Sequence, residues 1–207
     1  MKLHITSFLD GGRIPAEFAF AKPAEVDHVT FAGNTSPHVS WSDVPPGTKS
    51  LAMICVDPDA PTVADDVNQE GRTVSKDLPR GEFYHWSIID LSPDVRELAA
   101  GECGAGVVPG GKSSPPGPAG SRQGKNDYTS WFATTEGMAG DYLGYDGPAP
   151  PWNDELVHRY VFTLYALDVP RLELPDGFHA TDALNALTNH VLAQATWTGT
   201  YTQNPHL

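Results

Sequence analysis

Basic side chains are scarce in this sequence. Thirteen lysines and arginines stand against 26 aspartates and glutamates, which leaves a formal net charge of −13. Nucleic acids and anionic membrane surfaces attract proteins chiefly through clustered lysine and arginine. A chain of this charge repels both, so we expect no nucleic-acid partner. Any phosphate that it binds must be held by a local group of side chains.

Cysteines and long apolar runs are also few. Two cysteines, Cys55 and Cys103, do not make a disulfide framework. No stretch approaches the roughly 20 apolar residues of a transmembrane helix, and the apolar run within residues 1–10 is too short for a signal peptide. We therefore expect a cytoplasmic protein without a membrane span.

Glycine and proline, by contrast, are abundant and divide the chain into short apolar segments. The clearest segments are 50–56, 83–91 and 159–167. They are rich in β-branched and aromatic residues and apolar on both alternating faces, as central strands covered on both sides are. The pattern predicts one mainly β, antiparallel domain over residues 1–207, a sandwich or a barrel. Weaker strands are predicted at 3–7, 29–32 and 197–201.

Two peripheral helices are predicted. One runs over residues 94–100. The other follows Thr181 as N-cap, with Asp182 in its first turn. Four apolar residues recur at helical spacing after this cap and would form a stripe facing the core. These are Leu184, Leu187, Val191 and Ala195.

Residues 106–113 fit the phosphate-binding pattern GxxxxGK[ST]. That motif works where a strand leads in and a helix leads out, because the amides at the helix N-terminus bind the phosphate. Here Ser114-Pro-Pro-Gly-Pro118 follows, and proline cannot continue a helix through that run. The segment is therefore interpreted as a surface loop and not as a nucleotide site.

Polar residues lie at one end of each of the three most clearly predicted strands. Asp57 and Asp59 end the first strand, and His85 lies near the start of the second. His158 leads into the third, preceded by the loop Gly147-Pro-Ala-Pro-Pro151. In an antiparallel sheet the end of one strand lies beside the beginnings of its neighbours. If the strands pair in that way, the two acids and two histidines converge at one sheet edge.

Such a group would suit a small anion. A carboxylate beside an imidazole raises the imidazole pKa, so His85 and His158 would be partly cationic. Gly147 has no Cβ and would let backbone amides approach an anion, while the prolines pin the loop. Nearby aromatic residues could form the walls of a pocket. These are Tyr84, Trp86, Tyr145 and Tyr160.

Other interpretations of the same residues stay open. Asp-Pro-Asp is common in turns, a single strand histidine is more often structural, and proline-rich runs are usually loops. Two histidines and two aspartates could also bind a metal, but they lack compact metal-ligand spacing. Ser87 lies near His85 without the sharp strand-to-helix turn of a hydrolase nucleophile. We therefore predict no metal, no cofactor and no catalysis.

The order of these motifs resembles the phosphatidylethanolamine-binding protein family, also called Raf-kinase-inhibitor-like proteins. The resemblance rests on Asp57-Pro-Asp-Ala-Pro61, His85, the 147–151 loop and His158-Arg-Tyr160. Several further segments match the bacterial branch. They are Asn34-Thr-Ser-Pro37, Val67-Asn-Gln-Glu-Gly71, Pro150-Pro-Trp-Asn-Asp154 and Gly199-Thr-Tyr-Thr-Gln-Asn-Pro205. A cysteine often found in the bacterial loop is Ala149 here, so any role of that thiol is absent.

The resemblance implies an antiparallel two-sheet β-sandwich with a few peripheral helices. It also implies a small cavity that binds phosphate or a phospholipid head group without transforming it. The ligand-binding positions that match the family are Asp57, Asp59, His85, Gly147, Pro148, His158 and Tyr160. The alternative is an interaction protein that modulates a kinase or protease, with an incidental pocket. A homodimer is expected from the family alone.

Overall fold

The computed structural model describes residues 1–207, and strands dominate it. The strands are β1 (Lys2–Ile5), β2 (Ala21–Pro23), β3 (Val29–Phe31), β4 (Val39–Ser42), β5 (Ser50–Pro61), β6 (Arg80–Leu91), β7 (Glu97–Leu98), β8 (Arg122–Gln123), β9 (His158–Leu167) and β10 (Val191–Tyr201). The helices are α1 (Tyr128–Trp131) and α2 (Ala180–Leu187), with a 3-10 turn at Ala16–Phe18. Both helices are short, and the predicted mainly β class is confirmed.

The main sheet is built around the three strands that the sequence predicted most clearly. Its order is β10-β9-β5-β6-β8, and every neighbouring pair is antiparallel. Strand β5 therefore lies between β6 and β9. The end of β5 is placed beside the beginnings of both neighbours, as the site prediction required.

A second sheet, β1-β4-β7, covers one face of the main sheet. The largest apolar cluster takes residues from both sheets, among them Ile5 and Trp41 on one side and Met53 and Phe162 on the other. The two-sheet arrangement is consistent with the predicted sandwich. Strands β2 and β3 form a separate antiparallel pair.

Helix α2 covers the opposite face of the main sheet. Its buried residues Ala183 and Leu187 belong to a second apolar cluster with Ile54 of β5 and Ile89 of β6. The central strands are thus buried on both faces. This explains why their sequences are apolar at successive positions and do not alternate with polar residues.

The helix predicted over residues 94–100 is wrong. The segment contains turns and the two-residue strand β7, which pairs Leu98 with Val39 of β4. Leu98 is thereby buried in the core between the two sheets. Pairing with a sheet edge overrides the weak local helix preference of so short a segment.

The second helix is present but shorter than predicted, and Val191 and Ala195 do not belong to it. It is capped by His179 and not by Thr181, with the Asp182 carboxylate accepting the His179 N–H. From residue 191 the chain pairs along β9 as β10, whose first residues alternate between partly buried and exposed. The four-residue stripe compatible with a helix is therefore divided between a helix and a strand.

The loop interpretation of residues 106–113 is confirmed, because no helix follows the glycines. Its lysine, however, is not on the surface. Lys112 is 8% exposed, and its Nζ donates to the Asp146 carboxylate and to the Tyr145 carbonyl. Asn34 and Asn126 also donate to the Asp146 carboxylate. These five groups join four distant segments of the chain around one buried ion pair.

We predict that Lys112→Met destabilises the fold by about 3–5 kcal/mol, because it leaves the Asp146 carboxylate buried without its cation. The measurement is the urea unfolding free energy. Lys125→Met is the matched control, since Lys125 pairs with the half-exposed Asp141 at 2.9 Å and should cost at most about 1 kcal/mol. Equal losses in the two variants would contradict a special role for the buried pair.

Candidate functional site

A cavity of about 470 Å³ lies where the end of β5 meets β6 and β9. Four of the predicted site residues line it: Asp57, His85, His158 and Tyr160. The two histidines and Asp57 therefore share one cleft, as predicted, whereas Asp59 does not line it. Antiparallel pairing on both sides of β5 is what brings them together.

Irregular pairing of β5 with β6 sets the orientation of these side chains. Cys55 pairs with Trp86 and Val56 pairs with Tyr84, so His85 is an extra residue in a bulge of β6. A second irregularity lies in β5 between Asp57 and Ala60. Bulges of this kind bend a strand and redirect a side chain beside a site. The sequence placed Asp57 after the strand, whereas the strand continues to Pro61 with this irregularity.

His158 is clamped between two carboxylates. Its Nδ1 lies 2.7 Å from Asp57 Oδ2, and its Nε2 lies 3.1 Å from Asp154 Oδ2. A carboxylate accepts hydrogen bonds, so both ring nitrogens act as donors and the ring is an imidazolium. Burial lowers the pKa of His158, but the hydrogen bonds to Asp154 and Asp57 outweigh it and raise the pKa to about 9.

Asp154 also pairs with Arg80, so Asp57, His158, Asp154 and Arg80 form a row of alternating charges. Arg80 donates from both terminal nitrogens to the Asp154 carboxylate, at 2.6 and 3.0 Å. Burial raises the pKa of Asp154, but hydrogen bonds from His158 and Arg80 hold it below its ordinary value. Sequence reasoning missed both residues. The available signal was the position of Asp154 four residues before His158, within the family-like Pro150–Asp154 segment.

His85 differs from His158 in charge. Its Nδ1 lies 2.9 Å from the Asp146 carbonyl oxygen, which can only accept, so Nδ1 carries the proton. Burial lowers the pKa of His85 despite the nearby Asp57. The prediction that carboxylates make both histidines cationic therefore holds in direction for His158 and is wrong for His85. Nε2 is left as the unprotonated ring nitrogen.

Asp59 does not line the cavity, although it lies close to it in sequence. Its carboxylate accepts Arg159 Nε at 2.8 Å, Arg159 Nη2 at 2.7 Å and the Arg159 backbone N–H at 2.9 Å. Burial raises the pKa of Asp59, but these hydrogen bonds hold it below its ordinary value. The geometry gives Asp59 a structural part, namely fixing the beginning of β9.

The Gly147 amide is not free for an anion, contrary to the prediction. It donates to Asn34 Oδ1 at 2.8 Å, and the Pro148 carbonyl accepts the amides of Phe20 and Ala21. A Cβ on Gly147 would collide with the Phe18 carbonyl oxygen. Close backbone packing thus accounts for the glycine. Neither residue lines the cavity, and direct ligand contact by Gly147 and Pro148 stays a prediction.

Aromatic rings form the apolar wall of the cavity. Phe20 stacks on Tyr128 with ring centroids 4.5 Å apart, and Tyr128 stacks on Phe132 at 5.5 Å. Phe31, Phe83 and Trp131 add further rings. Helix α1 supplies Tyr128 and Trp131, and no sequence pattern had marked it.

Of the four aromatic residues predicted as pocket walls, only Tyr160 lines the cavity. Trp86 and Tyr145 lie in the core between the sheets, and Tyr84 lies in the cluster beneath α2. The neighbours of a strand histidine in sequence point to other faces. Closeness in sequence to His85 was therefore a poor guide to the wall.

Two cavity residues carry buried polar atoms without a partner. They are the Tyr160 hydroxyl and Gln203 Oε1. Tyr160 is 1% exposed and Gln203 is 2% exposed. Buried polar atoms of this kind cost about 1–3 kcal/mol each when they stay unpaired. Gln203 lies in the family-like segment 199–205, and the sequence pattern did not predict it as a site residue.

No set of three or more histidine, cysteine, aspartate or glutamate side chains is arranged to hold a metal ion. The clamp around His158 explains this for the cavity, since Asp57 and Asp154 are engaged by its two N–H groups. None of the helices has the length and apolar character needed to cross a membrane.

We predict that the stability contributed by the His158 clamp is full below about pH 6.5 and is lost as the pH rises through about 9. The folded-state pKa is the raised one, so the proton is held more tightly in the folded protein. The unfolding free energy difference between wild type and His158→Gln should shrink by up to about 3 kcal/mol over that range. Urea titrations at several pH values measure it, and a constant difference would contradict the assignment.

Comparison with known proteins now supplies the family. Residues 4–202 match the family model described as phosphatidylethanolamine-binding protein. A UPF0098 protein of Methanothermobacter thermautotrophicus is 36% identical over 97% of this chain and 98% of its own. The UPF0098 protein YbhB of Escherichia coli is 31% identical over 97% and 99%.

Solved structures share the fold. The crystal structure of E. coli YbcL, described as a new member of the mammalian PEBP family, has a TM-score of 0.70 and 24% identity, with 97% of each chain covered. A putative PEBP homolog, CT736 from Chlamydia trachomatis, has a TM-score of 0.62 and 27% identity over 97% of this chain and 95% of its own. The chain therefore belongs to the phosphatidylethanolamine-binding protein family.

Proposed function

We propose that the cavity binds a small oxyanion, either free or as the head group of a phospholipid, and that the protein does not transform it. The Tyr160 hydroxyl carries this proposal. Tyr160 lines the cavity, and its hydroxyl is buried without a hydrogen-bond acceptor in the protein. A ligand oxygen that reaches this hydroxyl would accept from it and remove the cost of the unpaired group.

The charge of the cavity wall does not by itself select an oxyanion, because the lining holds the acidic residues Asp57 and Glu82 beside the cationic His158. Lysine and arginine are absent from the lining residues. The positive charge comes from His158, whose two N–H groups are engaged by carboxylates. These carboxylates balance the imidazolium charge, so an anion in the cavity would take its hydrogen bonds from neutral groups.

The aromatic wall supports an organic group attached to the anion. Phe20, Tyr128 and Phe132 form a continuous stacked surface in the cavity lining. Polar residues of β5, β6 and β9 line the same cavity. Pockets that combine apolar walls with a few fixed polar groups suit amphipathic ligands. A head group with a short apolar neighbour fits this combination better than a bare ion.

The proposed absence of catalysis rests on where the nucleophiles lie. Ser87, Cys55 and Cys103 are buried and do not line the cavity. Burial and the charge of Asp57 raise the pKa of Cys55 well above its ordinary value, so the reactive thiolate is disfavoured. Modulation of a kinase or protease, homodimer formation and a cytoplasmic location stay predictions.

We predict that Tyr160→Phe weakens binding of methyl phosphate about tenfold, because the hydroxyl that would donate to the ligand is lost. Isothermal titration calorimetry at pH 5.5 measures the affinity. Ser87→Ala is the matched control, since it removes another buried hydroxyl without a partner, outside the cavity lining. An unchanged affinity of the Tyr160→Phe variant, or the same loss in Ser87→Ala, would count against the proposal.

A further inference from the structure

We propose that the β2–β3 hairpin is a movable wall of the cavity and that the side chain of His28 is the latch that holds this wall closed. The hairpin supplies Ala21, Val29 and Phe31 to the cavity lining. Its two strands pair with each other and with neither of the larger sheets. The latch controls access to the cavity and is independent of which ligand enters it.

The base of the hairpin is fixed to the body of the protein. The Pro148 carbonyl accepts the amides of Phe20 and Ala21 at 2.9 and 3.3 Å. The Tyr201 hydroxyl donates to the Ala21 carbonyl at 2.9 Å. Movement of the hairpin is therefore confined to the residues beyond these bonds, as in a flap hinged at its base.

One side chain holds the tip of the hairpin. The His28 imidazole stacks on the Trp152 ring, with centroids 3.8 Å apart and planes 9° apart, and its Nε2 lies 2.5 Å from Glu70 Oε1. This is the one hydrogen bond between residues 22–31 and the rest of the protein. His28 and Glu70 are both exposed, so their contact is weak enough to break reversibly.

The backbone at the tip is strained in favour of this histidine. Asp27 and His28 have φ angles of 61° and 63°, in the left-handed region. Glycine adopts this region with the least strain, because a Cβ meets the following carbonyl there. A glycine at position 28 would relieve the backbone but could neither stack nor pair. Contacts of the imidazole ring therefore account for a histidine at this position.

The two loops that His28 contacts are tied firmly to each other. Asn153 Oδ1 accepts the Asn68 amide at 3.0 Å, and Asn153 Nδ2 donates to the Asp66 carbonyl at 2.8 Å. Asn68 Oδ1 accepts the Trp152 amide at 3.0 Å. Both loops line the cavity, through Asn68 and Pro151. Release of His28 would thus separate the hairpin tip from a pair of loops that stay together.

The hairpin also borders a second cavity. Pro23 and Ala24 line this cavity, which has a volume of about 680 Å³. Gln203 lines both cavities, so the two are neighbours. Phe31 of the same hairpin lines the first one. Movement of the tip away from Trp152 would therefore widen both cavities at once.

The test measures access to the cavity with a thiol reagent. Ala149→Cys places a thiol in the cavity lining, whereas Cys55 and Cys103 are 1% and 0% exposed and give a low background. The reagent is N-phenylmaleimide, and mass spectrometry follows the labelling. Adding His28→Gly should raise the labelling rate about three- to tenfold, because the rate follows the population of the open hairpin.

Matched variants separate the latch from a general loosening of the surface. His190→Ala removes another surface histidine that pairs with a carboxylate, Asp168 at 2.8 Å, outside the cavity lining. It should leave the rate unchanged. Trp152→Leu removes the stacking partner and should raise the rate, which keeps the test valid if His28→Gly alters the turn. An unchanged rate in both latch variants, or an equal rise in His190→Ala, would overturn the proposal.

Hydrogen exchange identifies the segment that moves. In His28→Gly the amides of residues 22–31 should exchange severalfold faster, while residues 66–72 and 150–154 exchange as in wild type, since their mutual hydrogen bonds remain. Faster exchange of the two loops with an unchanged hairpin would overturn the assignment of the movable wall. Neither measurement uses a ligand, so a negative result leaves the proposed function intact.

Discussion

The imidazolium of His158 lies between the carboxylates of Asp57 and Asp154, and Arg80 closes the row from the other side. Four charges of alternating sign are buried together, and each has its partner within hydrogen-bond distance. Removing any one would leave a buried charge uncompensated, which is far more costly than the pair is favourable. The row joins β5, β6 and β9 at the cavity, and it also removes the N–H groups of His158 from contact with any ligand.

A second buried charge lies behind His85, outside the cavity lining. Lys112, Asn34 and Asn126 all donate to the Asp146 carboxylate, while the Asp146 carbonyl accepts from His85. One residue therefore joins a structural network to a cavity histidine and fixes its tautomer. The lysine of a phosphate-binding motif and the glycine of a family motif both act in this network. Their residue types are explained by packing and charge pairing within the protein.

Rules that depend on neighbouring strands predicted the fold and the site well. The three apolar strands were found because burial on both faces leaves continuous apolar runs, and antiparallel pairing then placed Asp57, His85 and His158 together. What failed depended on irregular or distant contacts. The bulge at His85 leaves no mark in the sequence, the aromatic wall comes from the short helix α1, and the first residues of β10 fit a helical period as well as a strand. Nothing in the sequence shows what the side chains of Asp154 and Gln203 contact.

Overall charge and local hydrogen bonding favour the same kind of ligand. The repulsion between an anion and a chain of net charge −13 grows with the charge of the anion, so a monoanion is penalised less than a dianion. A cavity lined with lysine or arginine would instead reward the dianion. The neutral His85 and the saturated His158 add no cationic donor that would favour a second negative charge, which agrees with the proposed binding of a monoanion.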